Sequence, residues 1–196
     1  MYGEKKVESK SNKFLKLYTE KEDINQYWFS ESTIEFIINQ IKSHTNPNSK
    51  IAFVSTPSIF FSLEPSLRDR SYLFDLDDRL IKRHPNAFKF DFNNFEELSK
   101  EEKILSQFDF VVVDPPYINE PSWTKFAEFV NLIANKENVK ILTCSIAENS
   151  LMLEKLLNLK MKKYQPSIPH LVYQYNFFAN YEDEKLDEIN SEIVTE

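Results

Sequence analysis

Two stretches of this chain carry apolar residues without alternation: Ile51-Ala52-Phe53-Val54, and Phe110-Val111-Val112-Val113 at the end of Phe108-Asp109-Phe110-Val111-Val112-Val113. A strand with one wet face alternates in polarity. An unbroken short run therefore marks a strand covered on both faces, as in a parallel sheet sandwiched between helices. Neither run approaches the ~20 residues that a membrane-spanning helix needs, so a soluble protein with no membrane association is expected.

The intervening segments fit such a sandwich. Ile34, Ile37, Ile38 and Ile41 recur at helical spacing, and Ser32-Thr33-Ile34-Glu35 has the spacing of a capping box. That helix is expected to end near His44, before Asn46-Pro47-Asn48. Pro57 suits the first turn of a helix after the first strand. Further short strands are read at Tyr72-Leu73-Phe74, Phe88-Lys89-Phe90, Val139 to Thr143, Met161 to Tyr164 and Leu171 to Phe178, with helices through Trp123 to Ile133 and Leu151 to Leu159. Strand and helix alternate until the last two strands, which follow one another directly. The expected fold is an α/β three-layer sandwich with a mostly parallel seven-stranded sheet and an antiparallel pair at one edge.

Composition removes whole classes of function. The chain of 196 residues contains one glycine, Gly3, so G-x-G-x-x-G dinucleotide loops and GxxxxGK[ST] phosphate loops are excluded. Three histidines and one cysteine, Cys144, make a structural zinc site or an internal disulfide untenable, and no metal site is expected. With no apolar leader at the N-terminus, the expected location is cytoplasmic. The net charge of −7 is concentrated at the C-terminus, where residues 182–196 carry seven acids and one lysine. The body from 26 to 181 is close to neutral, without the basic footprint expected of a protein that lives on nucleic acid. The expected organisation is a flexible N-terminal segment over 1–22, one catalytic domain over 23–181 and an acidic tail over 182–196.

In open α/β sheets a ligand sits beyond the carboxyl ends of the strands, and here those ends are marked by Ser55-Thr56-Pro57-Ser58, Asp77, Asp91 and Asp114-Pro115-Pro116-Tyr117. Each acid alone is more often a solvated turn residue or a helix cap than a ligand. Together they suggest a nucleoside-containing cofactor that needs no phosphate loop, with an acid after the second strand accepting hydrogen bonds from ribose hydroxyls. Asp-Pro-Pro-Tyr adds a rigid row of acceptors beside an aromatic ring, because proline has no N–H and a fixed φ. A carboxylate and a carbonyl can take both hydrogens of an amino group and aim its lone pair outward. The alternative is a plain turn with Tyr117 packed inward. His44, His84 and His170 are read as exposed polar residues, and Cys144 as core.

The run ending in Asp114-Pro115-Pro116-Tyr117 resembles the fourth motif of S-adenosylmethionine-dependent amino-methyltransferases with a D/N-P-P-Y/F signature. Gln26-Tyr27-Trp28-Phe29-Ser30, Val54-Ser55-Thr56-Pro57-Ser58, Asp77-Asp78-Arg79, Asp91-Phe92-Asn93-Asn94 and Asn180-Tyr181 are similar, in that order, to motifs of the elongation factor 1-alpha lysine methyltransferase family. That family was once classed as adenine N6 DNA methyltransferases. The resemblance implies a class I, Rossmann-like methyltransferase fold and S-adenosyl-L-methionine as cofactor. It implies that Ser55, Thr56 and Pro57 line the methionine side, that Asp77 holds the ribose, that Asp91 holds the adenine amino group and that Trp28 and Ser30 close over the cofactor. Asp114, Pro115, Pro116 and Tyr117 would then hold the acceptor amine, the catalytic task. The implied activity is protein-lysine N-methylation of a basic partner, elongation factor 1-alpha. A nucleic-acid adenine N6-methyltransferase and a catalytically silent cofactor-binding module are the competing readings.

Overall fold

The computed structural model describes residues 12–193. Seven strands form one sheet: β1 (Ile51–Val54), β2 (Ser71–Asp75), β3 (Ala87–Lys89), β4 (Phe110–Val113), β5 (Lys140–Ser145), β6 (Lys160–Met161) and β7 (Asn176–Ala179). Their spatial order is β3-β2-β1-β4-β5-β7-β6. The first five pair in parallel, and β7 runs antiparallel to both β5 and β6. The chain moves outward from β1 to β3 on one side, then restarts with β4 on the other side of β1. That reversal leaves a crevice at the carboxyl ends of β1 and β4.

Among the described residues seven α-helices accompany the sheet: α1 (Lys13–Leu17), α2 (Glu31–His44), α3 (Pro57–Phe60), α4 (Pro65–Arg68), α5 (Asp78–Ile81), α6 (Glu120–Ile133) and α7 (Ser150–Leu157). The continuous apolar runs have the expected cause. Phe53, Leu73, Phe110, Val112 and Leu142 face one layer, where Ile34, Ile37 and Ile41 of α2 cover them. Ala52, Val54, Phe74, Val111 and Val113 face the other, beneath Trp123, Phe126 and Val130 of α6 and Leu153 of α7. Successive residues of a strand point to opposite faces, so each must be apolar when both faces are covered. No helix among the described residues is long and apolar enough to cross a membrane.

The elements fall close to their expected places, with three differences. The cap of α2 is Ser30, whose Oγ accepts the Thr33 N–H at 3.1 Å, and not Ser32. The two last strands are shorter than expected, because residues 162–175 are nearly all irregular between β6 and β7. The segments expected to be a loose N-terminus and an acidic tail each place a residue in the core, Phe14 and Leu186. Residues 1–11 and 194–196 of those segments lie outside the described residues.

At the N-terminal side, Asn12 caps α1 by accepting the N–H groups of Phe14 and Leu15. Phe14 is 4% exposed. It stacks on Tyr18 at 4.8 Å and Phe61 at 5.8 Å and meets the edge of Trp28 at 5.1 Å. At the other end, Glu184–Asp187 forms a 3-10 turn with Leu186 fully buried, and the Leu186 carbonyl accepts the Tyr164 N–H at 2.8 Å. Described residues on the far side of both 22 and 181 thus contribute to the core. Phe14→Ala should lower the unfolding free energy by about 3 kcal/mol, the usual loss for a buried phenylalanine. Urea unfolding measures it, and an unchanged midpoint would mean that α1 does not pack as described.

Candidate active site

Strand register decides which side chains meet. Val54 of β1 is level with Phe74 of β2 and Val113 of β4, and Val113 is level with Thr143 of β5. One residue further on, Asp75, Ser55, Asp114 and Cys144 therefore stand in a row across four neighbouring strands. Two main-chain bonds continue the ladder at this level: Ser55 N–H to the Phe74 carbonyl at 2.8 Å, and Asp114 N–H to the Val54 carbonyl at 3.0 Å.

Ser55 sits at φ 57, a left-handed conformation that disfavours any residue with a Cβ. The turn lets Thr56 flank the start of α3, with Pro57 in its first turn. The exit from β1 is as tight as a glycine loop, yet it is built without glycine. The Thr56 hydroxyl is buried and has no hydrogen-bond partner among the described residues.

A cavity of about 360 Å³ opens beyond this row. Ser55, Pro57, Asp75, Asp91, Asp114, Pro115, Pro116 and Tyr117 line it from the strand ends. A second wall is the strap Asp23–Trp28. Its fold depends on a bridge between Lys21 and Gln26, a 3-10 turn and Asn25 at φ 52. Ile168, Leu171 and Tyr175 supply a third wall. Asn25 Nδ2 donates to the Pro116 carbonyl, which ties the strap to the Asp-Pro-Pro-Tyr turn. Trp28 lines the cavity while its Nε1 donates to the Tyr18 carbonyl at 3.1 Å and its main-chain N–H to Glu20 at 2.8 Å.

Three of the residues expected at the site do not line the cavity. Ser30 is the helix cap described above, Thr56 is buried behind Ser55, and Asp77 faces away. Asp77 caps α5 through the Arg79 N–H, and the Arg79 guanidinium holds both its oxygens at 2.5 to 3.0 Å. Lys21 Nζ adds a contact at 3.5 Å. Burial alone would push the Asp77 carboxyl up, but the Arg79 hydrogen bonds and charge hold it below its usual value. The acid of β2 that reaches the cavity is the strand's own last residue, Asp75.

Asp75 is 5% exposed and accepts the Asp77 N–H at 2.8 Å. Burial pushes its pKa up to about 7, against the lowering effect of that bond. Asp114 is similar. Its side chain lines the cavity, its one side-chain partner among the described residues is Cys144 Sγ at 3.4 Å, and burial again pushes its pKa up to about 7. Cys144 is core, as expected, and its thiol is driven further up by burial beside Asp114. Asp91 is shaped by its own loop, accepting the Asn93 N–H at 2.9 Å, with Phe92 beside it. Tyr117 is 44% exposed, with its ring 6.3 Å from that of Phe92.

Among the described residues no histidine lines the cavity. His44 is half-buried and paired with Asp183 at 2.7 Å, His84 is half-buried against Phe60, and only His170 is exposed, at 2.5 Å from Glu20. Sequence reading missed Asp75, Asn25 and Tyr175. The one available signal for Asp75 was its place immediately after Phe74, matching Ser55 after Val54 and Asp114 after Val113.

The cavity thus combines two carboxyl groups that titrate near neutrality, a third acid beside a phenylalanine and a proline-stiffened turn under a tyrosine. A family described as "Probable N6-adenine methyltransferase" matches residues 20–183. An "EEF1A lysine methyltransferase 1" of Danio rerio is 30% identical over 170 residues, covering 83% of this chain and 99% of its own length. The protein of the same name from Mus musculus is 29% identical over 162 residues, covering 81% of this chain and 74% of its own. In fold, the chain is similar to a branched-chain polyamine synthase from Thermus thermophilus. The TM-score is 0.60 at 12% identity, over 85% of this chain and 60% of that one.

Because Asp75 keeps its proton to about pH 7 when folded and releases it near 3.8 when unfolded, the native state binds more protons across that window. Its contribution to stability therefore falls as pH rises from 4 to 7. Asp75→Asn, which cannot ionise, should gain on the parent between pH 5 and pH 8 by on the order of 1 to 4 kcal/mol. Urea unfolding at the two pH values reads the difference, and parallel behaviour of variant and parent would refute it.

Proposed function

The chain belongs to the family described as probable N6-adenine methyltransferase, and from that premise we propose that it is an S-adenosylmethionine-dependent protein-lysine N-methyltransferase acting on elongation factor 1-alpha. Its relatives named as EEF1A lysine methyltransferases support the choice of acceptor. A chain of net charge −7 also suits a basic protein better than a polyanion. The observation that carries the reading is that Asp114 to Tyr117 opens into the same cavity as Asp75 and Asp91.

The residues present fit the cofactor. The buried Asp75 carboxyl, with one backbone donor already satisfied, suits the hydroxyls of a ribose. Asp91 suits an adenine amino group, with the Phe92 ring against the flat base. Ser55, Pro57 and Trp28 are left for the amino-acid end. When bound, S-adenosylmethionine would supply a methyl group on a sulfonium, which a neutral amine takes in line as the C–S bond breaks and the thioether leaves.

A lysine amine has a reference pKa of about 10.4, so its neutral form at pH 7 costs roughly 4 to 5 kcal/mol. The chain's own residues reduce that cost by desolvation, and Tyr117 covers the alkyl stem of the lysine. Asp114 and the adjacent carbonyls accept the amine hydrogens and orient the lone pair, while Asn25 and the two prolines keep the turn from moving. An Asp114 that titrates near 7 can also receive a proton from the incoming ammonium and pass it to water, without a histidine.

Incubation with labelled cofactor tests the reading. Label in elongation factor 1-alpha supports it, and label in DNA alone would sink it. Asp114→Asn should lower transfer at least 100-fold while S-adenosylhomocysteine binding, measured by calorimetry, changes by less than about threefold. Asp75→Ala should weaken that binding roughly 10- to 100-fold, the value of one or two hydrogen bonds to a charged group. Asp77→Ala should chiefly lower stability; the reverse pattern would restore Asp77 as the ribose ligand.

A further inference from the structure

The acidic C-terminal segment packs beside residues 164–175, three of which also line the cavity. Asn190 is buried and its Nδ2 donates to the Gln165 carbonyl at 2.8 Å. With the buried Leu186, it pins residues 184–193 alongside the irregular segment 165–175. A second cavity of about 170 Å³ lies between that segment and Ile193, and shares Ile168, Leu171 and Tyr175 with the catalytic one.

Three features of this face define its partner. Val172 is 92% exposed and Tyr173 63%, an apolar edge with no packing role. The main-chain N–H groups of Val172, Tyr173 and Gln174 have no partner among the described residues, and they are left to donate to the carbonyls of a docked chain. The charge is predominantly negative: segment 166–175 holds no Lys or Arg, and segment 184–193 carries Glu184, Asp187, Glu188 and Glu192 against Lys185, with Glu188 exposed and Glu192 bonded to the Ser30 hydroxyl at 2.5 Å.

We propose that this face, Pro166 to Tyr175 with the acidic segment from Glu184 to Ile193, docks a basic, extended stretch of the substrate protein that flanks the acceptor lysine. The proposal rests on the lysine-methyltransferase reading and deepens it. A lysine reaching Asp114 past Tyr175 would leave its neighbouring residues along Val172 and Tyr173, with their positive charges toward Glu188 and Glu192.

Val172→Lys combined with Glu188→Lys reverses the character of the groove at two exposed positions outside the catalytic machinery. With elongation factor 1-alpha as substrate, KM should rise roughly tenfold, as expected for the loss of several weak surface attractions. kcat and S-adenosylhomocysteine affinity should stay within about twofold. An unchanged KM would overturn the proposal. Hydrogen exchange with an alternating lysine–alanine dodecapeptide reads the surface independently of catalysis: protection of 171–175 in the parent, reduced in the double variant, supports it. Should the parent transfer no methyl group to elongation factor 1-alpha, the functional reading fails, and the exchange experiment still decides the surface. Absence of protection, or protection by an RNA oligonucleotide in place of the peptide, overturns it.

Discussion

The parallel pairing of β1 with β2 and β4 is the constraint on which the site depends. It sets Val54, Phe74 and Val113 level, so that Asp75, Ser55 and Asp114 emerge together where the strands end. Peptide hydrogen bonds fix that level, and apolar layers on both faces of the sheet prevent the strands from slipping. Because the row lies at the top of a dry core, its two carboxyl groups are desolvated and hold protons to about pH 7. The cations that would have neutralised them are engaged one turn away: Arg79 and Lys21 are both committed to Asp77. Asp77 thus serves the site indirectly, because its own charge raises the Asp75 carboxyl more than the charge of Arg79 lowers it.

The near-absence of glycine is met locally rather than avoided. Four described residues adopt positive φ, Asn25, Ser55, Ser106 and Asn158, and two of them border the cavity. Asparagine tolerates this region better than most residues. Serine at 55 carries strain of about 1 to 2 kcal/mol, held in place by its bond to the Phe74 carbonyl. The result is a stiff exit from β1 without the conformational freedom of a glycine loop. Asn25 does the same for the strap and adds a side-chain bond to Pro116, so one residue both turns the chain and anchors it to the acceptor turn.

Tertiary contacts also draw Phe14 and Leu186 into the core. Leu186 stands among polar residues, and Phe14-Leu15-Lys16-Leu17-Tyr18 is too short a stretch to show a sustained helical period. Asn180 is a comparable case. It stands in the resemblance only as a closing motif, but in the fold it accepts the Ile141 N–H and donates to the Val139 carbonyl, each at 2.8 Å. It thereby completes the edge of β5.

Sequence alone determined the fold class, because unbroken apolar runs such as Phe110 to Val113 are stable only when both faces are covered. It also determined the Asp114 to Tyr117 turn, because two consecutive prolines dictate local geometry whatever surrounds them. It did not separate Asp75 from Asp77. Both follow the same strand, and only the register with Ser55 and Asp114 says which of them is level with the cavity and which is turned toward Arg79. The walls contributed by Asn25 and Tyr175 were likewise decided by tertiary structure, since they come from segments about 150 residues apart that meet only once the sheet has brought its edge strands round.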